Sequence, residues 1–346
     1  MGSKKIVKIG NIAIGGNNPI AVQSMLNVHA SKIEESVKQA VELERSGCEI
    51  IRSAVPNIES VKLIEKLKEA VSIPVVADIH FDYKIAIKCV EAGVDKIRIN
   101  PGNIGSDDRI KAVVSACKQK NIPIRVGVNS GSVEKHILEK YQKPTADALV
   151  ESALYHINLI EAYDYDNIVV SIKSSDVKTM CEAYRKMAEV KPYPLHLGVT
   201  EAGTERMGII KSSIGIGSLL LDGIGDTIRV SLTDEPIKEI YAGNDILKAL
   251  NLKNGVKIVS CPSCGRTAID LISIAKEVES SLSSCKKDIT VAVMGCAVNG
   301  PGEAREADIG IAGGNGCGLI FKKGEIVKKV PEQDLVKELL LEIEKM

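Results

Sequence analysis

The sequence predicts a (β/α)8 barrel followed by a small α+β domain. Short β-branched runs alternate with helical patterns over about 230 residues, which is typical of a barrel of parallel strands. Charged residues gather near the ends of these runs. The alternation of strands and helices is interrupted by turn signals around residues 243–255. A barrel takes up about 250 residues, so a chain of 346 residues leaves room for more. We expect the barrel to cover residues 1–250 and the second domain residues 251–346.

The predicted elements of the barrel begin with a hairpin. Residues 4–20 alternate and break at two Gly-Asn turns, so a hairpin is expected to close the bottom of the barrel. Eight strands follow, at 21–25, 49–53, 74–78, 96–100, 123–128, 167–171, 194–199 and 227–232. Helices are predicted at 31–46, 58–70, 83–92, 108–118, 145–162, 177–191 and 209–221. A doubly wound dinucleotide-binding fold is disfavoured, because no Gly-rich turn follows the first strand.

The composition is that of a soluble globular protein. Lys and Arg together number 45, as do Asp and Glu, so there is no basic excess to attract nucleic acid. The chain has no Trp and only two Phe, which argues against base stacking. The first residues lack the apolar core of a signal peptide, and no apolar run is long enough for a membrane span. We expect a cytoplasmic protein that binds neither nucleic acid nor membrane.

Five cations are predicted to face one another at the mouth of the barrel. They occupy the ends of different strands: Arg52, Arg98, Arg125, Lys173 and Arg229. The C-terminal ends of barrel strands open on one face, and that face holds the active site. These cations would repel one another unless a multiply charged anion lay between them, and a diphosphate is the natural candidate.

Other polar residues follow the same strands. They are Gln23, Asp78, His80, Asn100, Asn129, His196, Glu201 and Ser231. The nearby acids, Asp78, Glu201 and Asp226, are too few to neutralise all five cations. The sequence therefore favours an anion site over a set of ordinary ion pairs.

The second domain has an α+β pattern. Strands are predicted at 256–260, 289–294, 309–311, 319–321 and 326–330, and helices at 267–282 and 332–345. Its first two strands each end at a turn that contains cysteine: Cys261 and Cys264 follow the first strand, and Cys296 follows the second. These turns are the expected site of a metal centre.

The nine cysteines differ in their spacing. Cys48, Cys89, Cys117 and Cys181 are scattered singly and are expected to pack as small apolar residues. Cys261, Cys264 and Cys296 have the spacing of ligands. A Cys-x-x-Cys motif alone fits zinc, a redox dithiol or iron–sulfur, but no second Cys or His pair completes a zinc site. A [4Fe-4S] cluster held by three cysteines fits best.

The fourth ligand of such a cluster is open at this stage. Glu303 is the nearest carboxylate, and Cys285 and Cys317 are rivals. An exchangeable carboxylate would let a substrate oxygen reach the iron. Two alternatives also stay open: an electron-transfer protein that carries a cluster, and a zinc-stabilised barrel enzyme of phosphosugar chemistry.

Several motifs resemble one enzyme family. The segments 225–233, 259–267, 293–304 and 307–314 closely resemble the bacterial 4-hydroxy-3-methylbut-2-enyl diphosphate synthases, iron–sulfur enzymes of the non-mevalonate isoprenoid pathway. Segments 97–103 and 197–203 are also similar, so the resemblance covers the whole chain. It implies the two-domain form of the family, whose C-terminal part resembles sulfite reductase domains.

The resemblance implies a reaction and a homodimer. The reaction is the reductive ring opening and dehydration of 2-C-methyl-D-erythritol 2,4-cyclodiphosphate, with ferredoxin or flavodoxin as electron donor. In the homodimer the cluster domain of one chain would cap the barrel mouth of the other.

The resemblance also implies roles for individual residues. The implied cluster ligands are Cys261, Cys264, Cys296 and Glu303. The implied substrate-binding residues are Arg52, Asp78, Arg98, Arg125, Asn129, Lys173, His196, Arg229 and Ser231. Glu201 would be the acid for the departing hydroxyl group, and Asn299 would hydrogen-bond the substrate beside the cluster.

Overall fold

The computed structural model describes residues 3–283, 285, 287–296 and 304–346. The chain divides into two compact units, Met1–Leu252 and Lys253–Met346. Among the described residues, no helix has both the length and the apolar character needed to cross a membrane.

The first unit contains eight parallel strands. They are β3 (Ala21–Met25), β4 (Ile50–Ala54), β5 (Val75–Asp78), β6 (Lys96–Ile99), β7 (Ile124–Asn129), β8 (Ile168–Lys173), β9 (His196–Leu197) and β10 (Thr227–Ile228). The sheet order is β8-β7-β6-β5-β4-β3-β10-β9. A parallel bridge between Val170 and Leu195 joins the two outer strands and closes the ring. The predicted barrel is therefore confirmed.

Ten helices are described in the first unit. They are α1 (Ile33–Arg45), α2 (Val61–Ala70), α3 (Tyr83–Glu91), α4 (Pro101–Ile104), α5 (Asp107–Lys120), α6 (Lys135–Tyr141), α7 (Ala146–Glu161), α8 (Val177–Val190), α9 (Glu205–Leu221) and α10 (Pro236–Ala249). The sequence did not predict α4, α6 or α10. In α10 the Gly-Asn pair at 243–244 was interpreted as a turn, but Gly243 packs in mid-helix, where an added Cβ would lie 3.0 Å from Val22 Cγ1. The glycine serves close packing of the helix on β3.

The N-terminal hairpin closes the bottom of the barrel, as predicted. Its strands β1 (Val7–Ile9) and β2 (Ile12–Ile14) pair antiparallel. Their side chains form one apolar cluster with residues near the N-terminal ends of the barrel strands, including Ala21, Ile50 and Val169. The interior is thus sealed at the end opposite the predicted mouth.

In its described residues, the second unit is a five-stranded sheet with two α-helices. The elements are β11 (Lys257–Ser260), α11 (Leu271–Leu282), β12 (Thr290–Met294), β13 (Ile309–Gly314), β14 (Cys317–Lys322), β15 (Glu325–Pro331) and α12 (Leu335–Glu344). Strands β11, β12 and β13 are parallel, and β13, β14 and β15 are antiparallel. The predicted α+β pattern is confirmed, while the likeness to sulfite reductase domains stays a prediction.

Helix α11 begins four residues later than predicted. The Thr267 N–H donates to the Cys264 carbonyl over 3.0 Å, and the Ala268 N–H donates to the Gly295 carbonyl over 2.9 Å. Asp270 then caps the helix, because its carboxylate accepts from the Ser273 N–H. The segment 265–269 is therefore used to hold the two cysteine turns together.

Candidate active site

The charged residues of the barrel strands lie on the inner face of the sheet. Ile97 and Ile99 of β6 pack in the apolar layer beneath the helices, so Lys96 and Arg98 point to the other side. The same alternation turns Arg125 of β7 inward. Three of the five predicted cations, Arg52, Arg98 and Arg125, lie near enough to Asp78 to lower its pKa.

Asp78 links two of these cations. Its Oδ1 accepts from Arg98 Nη1 over 3.0 Å, and its Oδ2 lies 3.6 Å from Arg52 Nε. Burial alone would raise the pKa of Asp78, but Arg52, Arg98 and Arg125 outweigh it and lower the pKa to about 2. Asp78 is therefore ionised at neutral pH and orients both guanidinium groups.

Arg125 lacks such a partner. The side chain is 1% exposed, and its Nε and Nη1 atoms make no hydrogen bond to any described residue. Burial, followed by the charges of Arg52 and Arg98, lowers its pKa well below the usual range. An unpaired buried cation is costly, and an anion held there would offset that cost.

Lys173 lies in a similar environment at the end of β8. It is buried, and burial lowers its pKa, with Arg229 and Arg52 adding to the effect. Its ammonium group occupies space left by a glycine: a Cβ added at Gly198 would lie 2.7 Å from Lys173 Nζ. A Cβ at Gly127 would likewise lie 2.6 Å from Arg98 Nε. Both glycines keep the barrel interior open for long cationic side chains.

His196 is held neutral beside these cations. Its Nδ1 lies 2.8 Å from the Thr227 hydroxyl, and its Nε2 has no hydrogen-bond partner within the described part of the chain. Burial lowers the pKa of His196 well below its usual value, and Arg125 and Lys173 lower it further. A neutral imidazole can offer Nε2 either as a donor or as an acceptor, according to its tautomer.

Arg229 has a partner that the sequence did not predict. Glu239 of α10, only 2% exposed, accepts from Arg229 Nε over 3.2 Å and from Nη2 over 3.0 Å. The expectation that Asp226 lies near the mouth is wrong. It precedes β10, and its carboxylate accepts from the N–H groups of Ser3 and Leu195 at the opposite end.

Lys96 is an interior cation that sequence reasoning missed. It is fully buried, and its Nζ has no hydrogen-bond partner among the described residues. Burial lowers its pKa well below the usual value, with further effects from Arg125 and Arg52. It lies two residues before Arg98 on the same strand, so the alternation along β6 could have indicated it.

The remaining predicted residues lie at the ends of strands or beyond them. Asn129 and Lys173 are register partners at the ends of β7 and β8. Ser231 is half-buried after β10. Glu201 is exposed in the loop after β9, with a φ of 51°, a left-handed conformation that is uncommon outside glycine. His80 is exposed after β5, next to the exposed Phe81.

The two cysteine turns lie at the same end of the second sheet. Strands β11 and β12 are parallel neighbours, so Cys261 and Cys296 follow adjacent strand ends. The Gly295 N–H donates to Cys261 Sγ over 3.1 Å. Cys264 is exposed, and hydrogen bonds from the backbone and the side chain of Arg266 lower the pKa of its thiol. The lowered pKa of Cys264 favours the thiolate form that metals require.

The structure does not assemble the whole predicted ligand set. Within the described residues, no three His, Cys, Asp or Glu side chains are grouped to hold one metal ion. Asn299 and Glu303 lie outside the described residues. Cys285 and Cys317 are half-buried, whereas Cys48, Cys89, Cys117 and Cys181 are buried, as expected of packing residues.

Comparison with known proteins establishes the family. Residues 4–244 match the GcpE TIM-barrel domain, and residues 257–345 match the GcpE protein C-terminal domain. This chain belongs to the GcpE family.

Curated relatives are identical to this chain at more than half of the aligned positions. A Clostridium perfringens protein is 61% identical over 98% of this chain and 97% of its own length. A Fusobacterium nucleatum protein is 59% identical over 97% of this chain and 95% of its own length. Both are named 4-hydroxy-3-methylbut-2-en-1-yl diphosphate synthase (flavodoxin).

Solved structures of another family share the barrel fold. A dihydropteroate synthase from Stenotrophomonas maltophilia aligns with a TM-score of 0.53 at 12% identity, over 71% of this chain and 97% of that one. The Yersinia pestis dihydropteroate synthase gives a TM-score of 0.51 at 14% identity, over 72% of this chain and 100% of that one. At these identities the likeness concerns the fold alone.

Proposed function

We propose that this protein is an iron–sulfur oxidoreductase that converts 2-C-methyl-D-erythritol 2,4-cyclodiphosphate to 4-hydroxy-3-methylbut-2-enyl diphosphate in isoprenoid biosynthesis. The names of its close GcpE relatives support this reaction. The observation that carries the proposal is the buried guanidinium of Arg125, whose Nε and Nη1 make no hydrogen bond to any described residue. The charges of Arg52 and Arg98 act on this guanidinium. The curated relatives of this chain are named for a diphosphate product.

The charge balance at the strand ends suits a diphosphate. Five cations, Arg52, Arg98, Arg125, Lys173 and Arg229, face two buried carboxylates, Asp78 and Glu239. Phosphate oxygens accept several charge-assisted hydrogen bonds, which guanidinium groups donate in a fixed planar geometry. Asn129, His196 and Ser231 would complete the binding site, and Asp78 would fix the orientation of Arg52 and Arg98.

The reaction consumes two electrons and one proton, because the diphosphate oxygen that leaves C2 keeps its negative charge. The bond between C2 and the diphosphate oxygen breaks, the C3 hydroxyl group leaves as water, and a double bond forms between C2 and C3. We assign to Glu201 the transfer of a proton to the departing hydroxyl group. Its exposed position after β9 gives the carboxylate access to solvent protons. The arginines hold the diphosphate while its link to C2 is lost, because they stabilise the negative charge that develops there.

The donor set of the second unit fits a [4Fe-4S] cluster. Cys261 Sγ already accepts a backbone N–H, and the Cys264 thiol has a lowered pKa, which are features of cluster-bound thiolates. We propose Cys261, Cys264, Cys296 and Glu303 as ligands, with Asn299 beside the substrate. When bound, the cluster supplies the two electrons and a Lewis-acidic iron.

We propose flavodoxin as the electron donor in preference to ferredoxin, because the names of the GcpE relatives specify flavodoxin. The expected localisation is the cytoplasm.

We also propose a homodimer in which the cluster domain of one chain caps the barrel mouth of the other. An exposed apolar stripe on α9 supports self-association. It consists of Met207, Ile210, Ile214 and Leu221, which are separated by three, four and seven residues. That spacing suits packing against a second helix of the same kind. Ile214→Glu should shift the protein toward monomer in sedimentation experiments, and an unchanged dimer would exclude this surface.

The two alternative functions gain no specific support. A pure electron-transfer protein would not need the costly buried Arg125 and Lys96. A zinc-stabilised phosphosugar enzyme would require a closed set of four ligands.

An anaerobic turnover assay tests the proposal. Protein with a full complement of iron should convert the cyclic diphosphate to the hydroxylated linear diphosphate when reduced flavodoxin is supplied. Failure of iron-loaded protein to form that product with either reduced flavodoxin or a chemical reductant would refute the proposed function.

A further inference from the structure

Strands β8 and β9 are joined differently from the other neighbouring strands of the barrel. Val170 and Leu195 form a single isolated bridge, and the Val170 N–H donates to the Pro194 carbonyl over 2.9 Å. Parallel ladders repeat every two residues, so the next bond would run from the Ile172 N–H to the His196 carbonyl. A tyrosine hydroxyl occupies that position instead.

The hydroxyl belongs to Tyr184 of α8, which is fully buried. It donates to the His196 carbonyl over 2.5 Å and accepts from the Ile172 N–H over 3.0 Å. Two hydrogen bonds in series therefore span a gap that one bond of about 2.9 Å would normally span. Both backbone groups are satisfied, yet the two strands are held farther apart than in a continuous ladder.

The inserted hydroxyl of Tyr184 lies beside backbone that carries the site residues Lys173 and His196. Ile172 directly precedes Lys173, and His196 itself supplies the carbonyl. Gly198, two residues farther along, leaves the space that Lys173 Nζ occupies. The phenol is also close enough to Arg125 for the guanidinium to oppose part of the rise that burial causes in the tyrosine pKa. A change in strand spacing here would therefore move Lys173 and His196 relative to Arg125.

We propose that Tyr184 is a positioning residue that spaces β8 from β9 and thereby sets the separation of Lys173 and His196 for a diphosphate. This inference rests on the proposed function, because it takes the cationic interior to be the substrate site. Tyr184 acts through the backbone and does not itself touch the substrate. Removing the Tyr184 hydroxyl should weaken anion binding more than removing another buried tyrosine hydroxyl would.

The test compares two buried tyrosines in the full-length protein. Tyr184→Phe removes the spacing hydroxyl, and Tyr165→Phe is the matched control, since Tyr165 donates to the Ile122 carbonyl over 2.6 Å in the outer layer. Inorganic pyrophosphate is the probe, and its Kd is measured by calorimetry. Tyr184→Phe should weaken binding about tenfold, while Tyr165→Phe should stay within about twofold of wild type.

Hydrogen exchange provides a second readout that needs no ligand. In Tyr184→Phe the peptide covering residues 168–173 should exchange faster than in wild type, because the Ile172 N–H loses its acceptor. Unchanged exchange in that peptide would overturn the spacing role, as would wild-type pyrophosphate affinity in a folded Tyr184→Phe protein. Wild-type protein that does not bind pyrophosphate would refute the anion site itself, and the exchange experiment would then decide the spacing role separately.

Discussion

Arg98 and Asp78 are joined inside the barrel by a hydrogen bond of 3.0 Å from Nη1 to Oδ1. The second oxygen of the same carboxylate lies 3.6 Å from Arg52 Nε. One carboxylate therefore orients two guanidinium groups, whereas Nε and Nη1 of the neighbouring Arg125 make no hydrogen bond to any described residue. Asp78 thus fixes the positions of Arg52 and Arg98, which is the preorganisation that the proposed diphosphate site would require.

Arg125 should be costly for stability and necessary for binding. Replacing the buried cation in Arg125→Met should raise the free energy of unfolding by about 1 kcal/mol, because the cost of burying the guanidinium outweighs its attraction to Asp78. Urea unfolding at pH 7 measures this change. The control is Arg185→Met, which removes an exposed ion pair with Asp222 and should have a small effect. A marked loss of stability in Arg125→Met would show that the guanidinium is already satisfied.

Asp78 should make folding stability depend on pH in the acid range. The folded-state pKa of about 2 lies below the ordinary value of 3.8, so the stabilisation is present above pH 4 and is lost as the pH falls toward 2. The shift corresponds to about 2 kcal/mol. The difference in unfolding free energy between wild type and Asp78→Asn should be constant from pH 7 to 5 and shrink below pH 4. A difference that does not change with pH would contradict the pairing with Arg98 and Arg52.

Glycines in the barrel wall should control anion affinity. Gly127→Ala would place a Cβ 2.6 Å from Arg98 Nε, so the guanidinium must move. We expect pyrophosphate to bind about tenfold more weakly. Gly131→Ala is the control, because no heavy atom lies within 4 Å of its added Cβ. Equal affinities in the two variants would mean that the position of Arg98 does not matter for binding.

The cysteines should fall into two classes by metal content. Cys261→Ser, Cys264→Ser and Cys296→Ser should each lose iron and the visible absorption of the anaerobically purified protein, because the proposed cluster has these three thiolates as ligands. Cys317→Ser should keep both. Glu303→Ala should keep a cluster but lose most turnover. Zinc in place of iron in the wild-type protein would refute the cluster assignment.

Most of the fold could be predicted from the sequence, because local patterns specify it. Arg98 and Arg125 were predicted at the mouth from their positions near the ends of two strands, and the structure turns both side chains inward. Glu239 was missed because the Gly-Asn pair in α10 resembles a turn, and only packing against Val22 explains the glycine. Tyr184 could not be predicted, because its hydroxyl replaces a bond between two strands that are distant in sequence.

The assembly of the site between chains has its own test. A Cys296→Ser chain and an Arg125→Ala chain each lack one half of the proposed site. If the cluster domain of one chain caps the barrel of the other, mixed dimers should regain part of the activity that each variant lacks. Mixtures that stay inactive after subunit exchange would favour a site formed within one chain.

Binding of the cyclic diphosphate to the barrel tests the central claim most directly. Calorimetric titration of wild-type protein with 2-C-methyl-D-erythritol 2,4-cyclodiphosphate should give saturable binding that weakens as salt is added, because charged groups dominate the contact. Arg125→Met should bind at least about tenfold more weakly while remaining folded. Equal affinity of wild type and Arg125→Met for this ligand would contradict the account.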